Sequence, residues 1–226
     1  LYDEFIKQNN LETKLENFTN TIDTSDILEL EKQANEIRNF IINAELSDTH
    51  IVAISKNYND LCELFNVSHN ELEIAVRSSA IAEDLPNASF AGQQDTYLNV
   101  KGKDELLVSI KKCFASLFNA RAISYRKTHN IKMSDVKISV AIQKMVRSDI
   151  GSAGVAFSID PETGFNKAIV VNSSFGLGEL VVSGGVKPDE IILDKRILRH
   201  IDGDPIITKN MGNKNTKIIY NSNGSG

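Results

Sequence analysis

Residues 77–96, RSSAIAEDLPNASFAGQQDT, decide how the rest of the chain is interpreted. Arg77 follows the apolar run 72–76, which predicts a buried strand that delivers a guanidinium to the edge of the core. The planar fork of N–H donors on an arginine suits phosphate oxygens. The rest of this stretch is a polar segment that leads back toward Arg77. In it, Gly92 permits close approach of the backbone to a ligand, and the Thr96 hydroxyl can donate to a phosphate. The residues alone leave two readings open, a phosphate-binding segment or an exposed arginine followed by a solvated loop.

Length and charge limit the class of protein. The chain has 226 residues, of which 41% are hydrophobic and 24% are charged, within the range of ordinary globular proteins. We expect two lobes, residues 1–144 and 145–226. The net charge of −5 does not support a nucleic-acid partner, because proteins that bind a phosphate backbone usually carry a broad basic surface.

The compartment is predicted from what the sequence lacks. No apolar run reaches the roughly 18 residues that a membrane span needs, and the first residues do not resemble a signal peptide. Cys62 and Cys113 have no CxxC or histidine companions, so we expect buried thiols in a reducing compartment. The sequence therefore predicts a cytoplasmic protein without a membrane partner. Because the chain does not start with Met and ends in NSNGSG, we expect an excised piece of a longer protein.

Apolar residues at helical spacing predict that residues 1–68 form helices, with Thr24 and Ser25 as candidate caps. These helices are interpreted as a scaffold, because no polar cluster among them converges on a site. Residues 97–100 are predicted as a short strand. An apolar stripe over 104–128 predicts one long helix that packs against the sheet.

The segment from Val136 to Gln143 alternates apolar and polar residues, which predicts a strand with one face in the core. Gln143 falls on the opposite face, at the end where the strand runs into Lys144 and Val146. A hinge between lobes often holds an adenine through backbone N–H and C=O groups, with one amide side chain for orientation. The alternative is a half-exposed strand with an ordinary polar glutamine.

From Gly151 onward the pattern is mostly strands and turns, including a hairpin around residues 160–164. The fold class is therefore predicted as α+β, with a helix-rich first lobe and a mainly antiparallel second lobe. Two phosphate-binding motifs are absent: Val181 stands where a dinucleotide fingerprint needs its third glycine, and Gly102 lacks the preceding glycine of a P-loop.

Several segments together carry a family resemblance, roughly over residues 70–195. They are residues 76–79 and 82–96, CFASLF (113–118), RAISYR (121–126), QKMVRSD (143–149), 154–165 and the run from FGLGE to PDE (175–190). This set resembles the N-terminal ATP-binding domain of the phosphoenolpyruvate synthase (pyruvate, water dikinase) family. The wider dikinase family also contains pyruvate, phosphate dikinase and rifampin phosphotransferase.

The resemblance implies an ATP-grasp-like two-lobed nucleotide-binding domain and a phosphotransferase. In that family ATP, with Mg²⁺, phosphorylates a histidine on a separate swivelling domain, which carries the phosphoryl group to pyruvate bound on another domain. The overall reaction converts ATP, pyruvate and water to AMP, phosphoenolpyruvate and phosphate. The implied partners are ATP and the phosphohistidine and pyruvate-binding domains of the same protein, and the chain alone is expected to be inactive.

The resemblance also assigns roles on the phosphate side. Arg77 would be the catalytic group that holds the ATP phosphates. Gly92 and Thr96 would belong to the loop that closes over them. These roles agree with the chemistry of phosphoryl transfer, which consists mostly of positioning and charge neutralisation.

On the base side, Gln143 would orient the adenine. Lys144 and Val146 would offer backbone contacts to it. Glu179 would either face the ribose or order its own turn.

Some parts of the family pattern are not found. The glycine-rich segment with its phosphate-binding lysine would precede Leu1, and the acidic metal-binding segment would follow Gly226, so no metal ligand is assigned. None of the four histidines has the sequence context of the phosphohistidine domain. Two alternatives stay open: rifampin phosphotransferase or another dikinase, and a nucleotide-binding module without catalysis.

Overall fold

Helices form the first part of the chain, as their apolar spacing predicts: α1 (Tyr2–Gln8), α2 (Glu12–Thr21), α3 (Ile27–Asn43) and α4 (Asp48–Phe65). The predicted caps Thr24 and Ser25 are wrong. Asp26 is the residue before α3, and its carboxylate accepts hydrogen bonds from the amides of Leu28 and Glu29.

The computed structural model describes residues 1–80, 84–85, 88–89, 95–132, 136–199 and 203–220. The chain divides into two units, Leu1–Met145 and Val146–Gly226. The two lobes predicted from the sequence, 1–144 and 145–226, were defined as parts of a nucleotide-binding domain, and in that sense they stay a prediction. None of the helices in the described ranges is both long enough and apolar enough to cross a membrane.

The first unit contains an antiparallel sheet in the order β4-β1-β5, formed by β1 (Ile74–Ala80), β4 (Thr96–Val100) and β5 (Ile138–Lys144). Two short strands, β2 (Asp84–Leu85) and β3 (Ala88–Ser89), pair with each other. The predicted strand 72–76 starts too early and ends too early. Because β5 pairs with β1 along its whole length, the strand continues through Arg77, which lies in its middle rather than beyond its end.

The single helix predicted over 104–128 is two helices, α5 (Gly102–Ser116) and α6 (Ala120–Thr128). Asn119 breaks the run, because its side-chain oxygen accepts a hydrogen bond from the amide of Ala122 at 2.7 Å and so caps a new helix.

The core of the first unit lies between the helices and one face of the sheet. Phe114 of α5 packs against Tyr2 and Phe5 of α1, with ring centroids 5.3 and 5.2 Å away. Ile74 and Val76 of β1 are completely buried in the same cluster. Both cysteines are buried and free, as predicted.

The second unit contains a four-stranded antiparallel sheet and the short helix α7 (Glu179–Val182). The strands follow one another in the sheet: β6 (Ser152–Phe157), β7 (Ala168–Phe175), β8 (Asp189–Asp194) and β9 (Ile206–Asn210). The predicted hairpin is confirmed, since β6 pairs antiparallel with β7 and residues 158–167 connect the two strands. Helices with antiparallel sheets make the chain an α+β protein, as predicted.

Candidate functional site

Three of the predicted site residues lie on one face of the β4-β1-β5 sheet. Arg77 is paired with Thr96 of β4 on one side and with Ala141 of β5 on the other. Ala75, two residues earlier on β1, is paired with Gln143. Side chains of directly opposite residues in antiparallel strands lie on the same side of a sheet. Arg77, Thr96 and Gln143 therefore share one face, which we call the open face.

A side-chain hydrogen bond joins two of these residues. Arg77 Nη1 donates to Gln143 Oε1 at 3.3 Å, and both side chains are exposed. The distance is long for an N–H···O bond. A ligand can therefore replace this contact at little cost, and the guanidinium has more N–H donors than the bond uses.

The opposite face of the sheet is closed by helices. Val76 alternates with Arg77 and is completely buried, and α5 packs against β1 on this side. The thiol of Cys113 lies 3.8 Å from the carbonyl oxygen of Val76, and burial raises the pKa of this thiol to about 12. The open face thus rests on a rigid, packed layer, which holds functional side chains more accurately than a loop does.

An exposed leucine on the open face was missed by the sequence analysis. Leu98 follows Thr96 by two residues on β4 and is 41% exposed. Directly after it, β4 has one more residue than the part of β1 that it pairs with, and Asn99 there has a φ of 57°. The signal in the sequence was the spacing alone, because side chains two residues apart in a strand, such as Thr96 and Leu98, lie on the same face.

Lys144 lies at the end of β5, with its side chain on the helical side of the sheet. It is paired with Ile74 of the core face, and its Nζ is 4.0 Å from the ring centroid of Phe65 at the end of α4. Contact between Lys144 and a ligand on the open face would therefore use the backbone, which is the kind of contact that the resemblance predicts. The amide of Met145 donates to the carbonyl oxygen of Glu73 at 2.8 Å.

The remaining predicted residues are in the second unit or outside the described residues. Val146, whose side chain is 80% exposed, and Glu179, the exposed first residue of α7, are in the second unit. Gly92 lies outside the described residues. The structure thus brings together Arg77, Thr96 and Gln143.

The turn that precedes Glu179 requires a glycine at position 176. Gly176 has a φ of 80°, and a side chain there would place its Cβ 2.4 Å from the carbonyl oxygen of Ile218. The amide of Leu177 donates to that same oxygen at 2.9 Å. The close passage of the 211–220 segment therefore requires glycine at this position.

A magnesium site is not formed by the described residues. No group of three or more histidine, cysteine, aspartate or glutamate side chains comes together in the ranges that the structure covers. Carboxylate oxygens are the protein ligands that Mg²⁺ prefers. The described residues therefore present no such group of ligands for Mg²⁺.

Comparison with known proteins gives a match along the whole chain. Residues 1–226 match the family described as "Pyruvate phosphate dikinase, AMP/ATP-binding domain". The phosphoenolpyruvate synthase of Aquifex aeolicus is 46% identical over 219 residues, which cover 97% of this chain and 25% of that protein. The phosphoenolpyruvate synthase of Synechocystis is 43% identical over 226 residues, covering 99% of this chain and 28% of that protein.

The phosphoenolpyruvate synthase of Helicobacter pylori is 45% identical over 220 residues, covering 97% of this chain and 27% of that protein. The chain thus spans about a quarter of the length of the curated relatives it matches. The chain belongs to the pyruvate phosphate dikinase AMP/ATP-binding domain family.

Proposed function

We propose that this chain is the ATP-binding portion of a phosphoenolpyruvate synthase. In this proposal the complete enzyme is a phosphotransferase that converts ATP, pyruvate and water to AMP, phosphoenolpyruvate and phosphate. The names of the relatives support it, because their similarity extends over 97–99% of the chain. One observation supports ATP binding in particular. Thr96 and Arg77 are paired on the open face, and Gln143 is hydrogen-bonded to Arg77 on the same face.

The phosphates of ATP would bind to Arg77 and Thr96. The two residues are directly opposite each other, so a guanidinium and a hydroxyl can donate to neighbouring phosphate oxygens. Gly92 lies in the segment that leads to Thr96 and would close over the phosphates. Catalysis by Arg77 would consist of charge neutralisation and positioning, the main requirements of phosphoryl transfer.

The adenine would bind near Gln143. The side-chain oxygen of Gln143 accepts a hydrogen bond from Arg77, and ATP binding would exchange this bond, with Arg77 turned to the phosphates and Gln143 to the base. Lys144 and Val146 would add backbone contacts. Leu98, also on the open face, would offer apolar surface to the nucleotide.

Two further features complete the proposal for the chain. Residues 1–144 and 145–226 would act as the two lobes of an ATP-grasp-like domain, with Glu179 of the second lobe facing the ribose or ordering its own turn. Magnesium enters the proposal from the resemblance alone, and the described residues present no set of ligands for it.

The remaining chemistry would lie on other domains of the same protein. A phosphohistidine domain would accept the phosphoryl group, and a pyruvate-binding domain would use it. The chain alone would then be inactive, because the acceptor would lie on another domain.

The complete reading frame that contains this chain provides the test. The purified product should form phosphoenolpyruvate from pyruvate and ATP, with equal amounts of AMP and phosphate. Phosphorylation of rifampin without phosphoenolpyruvate formation would replace the proposal with the rifampin phosphotransferase alternative. ATP binding without turnover on either acceptor would favour a non-catalytic module.

A further inference from the structure

Arg38 lies on α3, in the part of the chain that the sequence analysis treats as scaffold, and it contacts the segment leading into β4. Its Nη2 is 3.6 Å from Oδ2 of Asp95, with the two side chains 29% and 40% exposed. Among the residues that the structure describes, Asp95 is the one carboxylate within ion-pair distance of Arg38. A helix far away in sequence is thus tied to the residue directly before Thr96.

Asp95 is held by two other contacts. The hydroxyl of Tyr97 donates to Asp95 Oδ2 at 3.0 Å, and the hydroxyl of Ser78 donates to the backbone carbonyl of Asp95 at 2.9 Å. Burial, and then the negative charge of Asp95, raise the pKa of Tyr97, which keeps its hydroxyl a donor. Side chain and backbone of Asp95 are therefore both fixed, from α3, β4 and β1.

These contacts lie on the helical side of the sheet, whereas the side chain of Thr96, the next residue, points to the open face. Tyr97 is paired with the buried Val76, and Thr96 is paired with the exposed Arg77. Because successive side chains of a strand alternate between faces, fixing Asp95 and Tyr97 on one side sets the direction of Thr96 on the other. The start of β4 is thereby oriented by contacts within the first unit.

The charge of Asp95 matters as well as its position. It is a carboxylate directly before Thr96, the first residue of the strand that pairs with the strand of Arg77. An anionic ligand held by Thr96 and Arg77 would be repelled by an unpaired carboxylate so close by. The guanidinium of Arg38 offsets that charge.

We propose that Arg38 is a positioning residue for the phosphates of ATP, and that it acts through Asp95. It holds the start of β4 so that Thr96 faces Arg77, and it neutralises a carboxylate that would otherwise oppose the ligand. The identity of the ligand rests on the proposed function, whereas the tether between α3 and β4 does not.

The proposed neutralisation of Asp95 by Arg38 is tested by measuring ATP binding to the complete protein. Calorimetry would compare Arg38→Ala, Asp95→Asn and the double variant. We expect Arg38→Ala to weaken ATP binding about three- to tenfold, since a partly exposed pair is modest and the freed carboxylate adds repulsion. Asp95→Asn should have a smaller effect. The double variant should bind ATP more tightly than Arg38→Ala alone, because the repelling charge is gone. Arg38→Lys should retain most of the affinity.

Lys137→Ala is the matched control, because it removes an exposed ion pair with Asp3, 2.6 Å long, in the same unit. A purely structural role would give no recovery in the double variant, and the proposal would be wrong. It would also be wrong if Arg38→Ala weakened binding no more than Lys137→Ala does.

Hydrogen exchange in the ligand-free protein tests the tether without ATP. Arg38→Ala and Asp95→Asn should speed exchange of the amides in residues 96–100, while Lys137→Ala leaves them unchanged. Unchanged exchange in both variants would overturn the tether. If the unmutated protein does not bind ATP, the proposed function fails, and the exchange result still decides whether Arg38 fixes the start of β4.

Discussion

Replacement of Arg77 by alanine in the complete protein should weaken ATP binding strongly without unfolding the chain. A hydrogen bond to a charged group contributes about 1.5–3 kcal/mol, which corresponds to roughly ten- to a hundredfold in affinity. The effect on folding should stay within about 0.5 kcal/mol, because the side chain is exposed and its hydrogen bond to Gln143 is 3.3 Å long.

Equilibrium binding of ATP, together with urea unfolding of each variant, separates the two effects. Arg77→Lys should be intermediate, since lysine keeps the charge and loses the planar fork. Lys137→Ala, which removes an exposed ion pair elsewhere in the first unit, should bind ATP normally. If Arg77→Ala keeps both its stability and its full ATP affinity, the phosphate-binding role of Arg77 is refuted.

Other predictions concern the core, the thiols and pH. Phe114→Ala should lower the free energy of unfolding by about 3–5 kcal/mol because the ring is 1% exposed, whereas Val108→Ala on the exposed side of α5 should change it by less than about 0.5 kcal/mol, measured by urea denaturation. Both cysteine thiols should resist a thiol reagent at about pH 8 until the protein unfolds, because burial raises their pKa values, that of Cys113 to about 12; rapid labelling of the native protein would contradict this. Hydrogen bonds from Arg196 lower the pKa of Asp194 from its usual 3.8 to about 2, so this contribution to stability is present above pH 3.8 and is lost as the pH falls toward 2; thermal melts should show that Arg196→Ala reduces the loss over that range.

The sequence predicted the elements whose local pattern decides their structure. Strict alternation was enough to put Gln143 on the face opposite the core, and helical spacing was enough to identify residues 1–68 as helical, although not where each of the four helices begins and ends. The break in the predicted long helix was missed because a single asparagine within an apolar stripe does not by itself indicate a helix end. Its role is visible only from the hydrogen bond by which the Asn119 side chain caps the next helix. The apolar stripe continues across the break and conceals it.

The extent of β1 was missed for a different reason. Residues 77–80 are polar or small, and they are strand because β5 pairs with them along their whole length, which is a long-range effect. Arg38 was missed in the same way, since its partner Asp95 is far away in sequence. Contacts of this kind leave no local pattern, so the site's supporting residues required the structure.

A structure of the complete protein with a non-hydrolysable ATP analogue would show whether the open face binds the nucleotide. The phosphate oxygens should lie about 2.7–3.2 Å from the Arg77 guanidinium and the Thr96 hydroxyl, with the adenine beside Gln143 and the bond between Arg77 and Gln143 broken. An analogue bound away from the open face, with the hydrogen bond between Arg77 and Gln143 intact, would contradict this prediction.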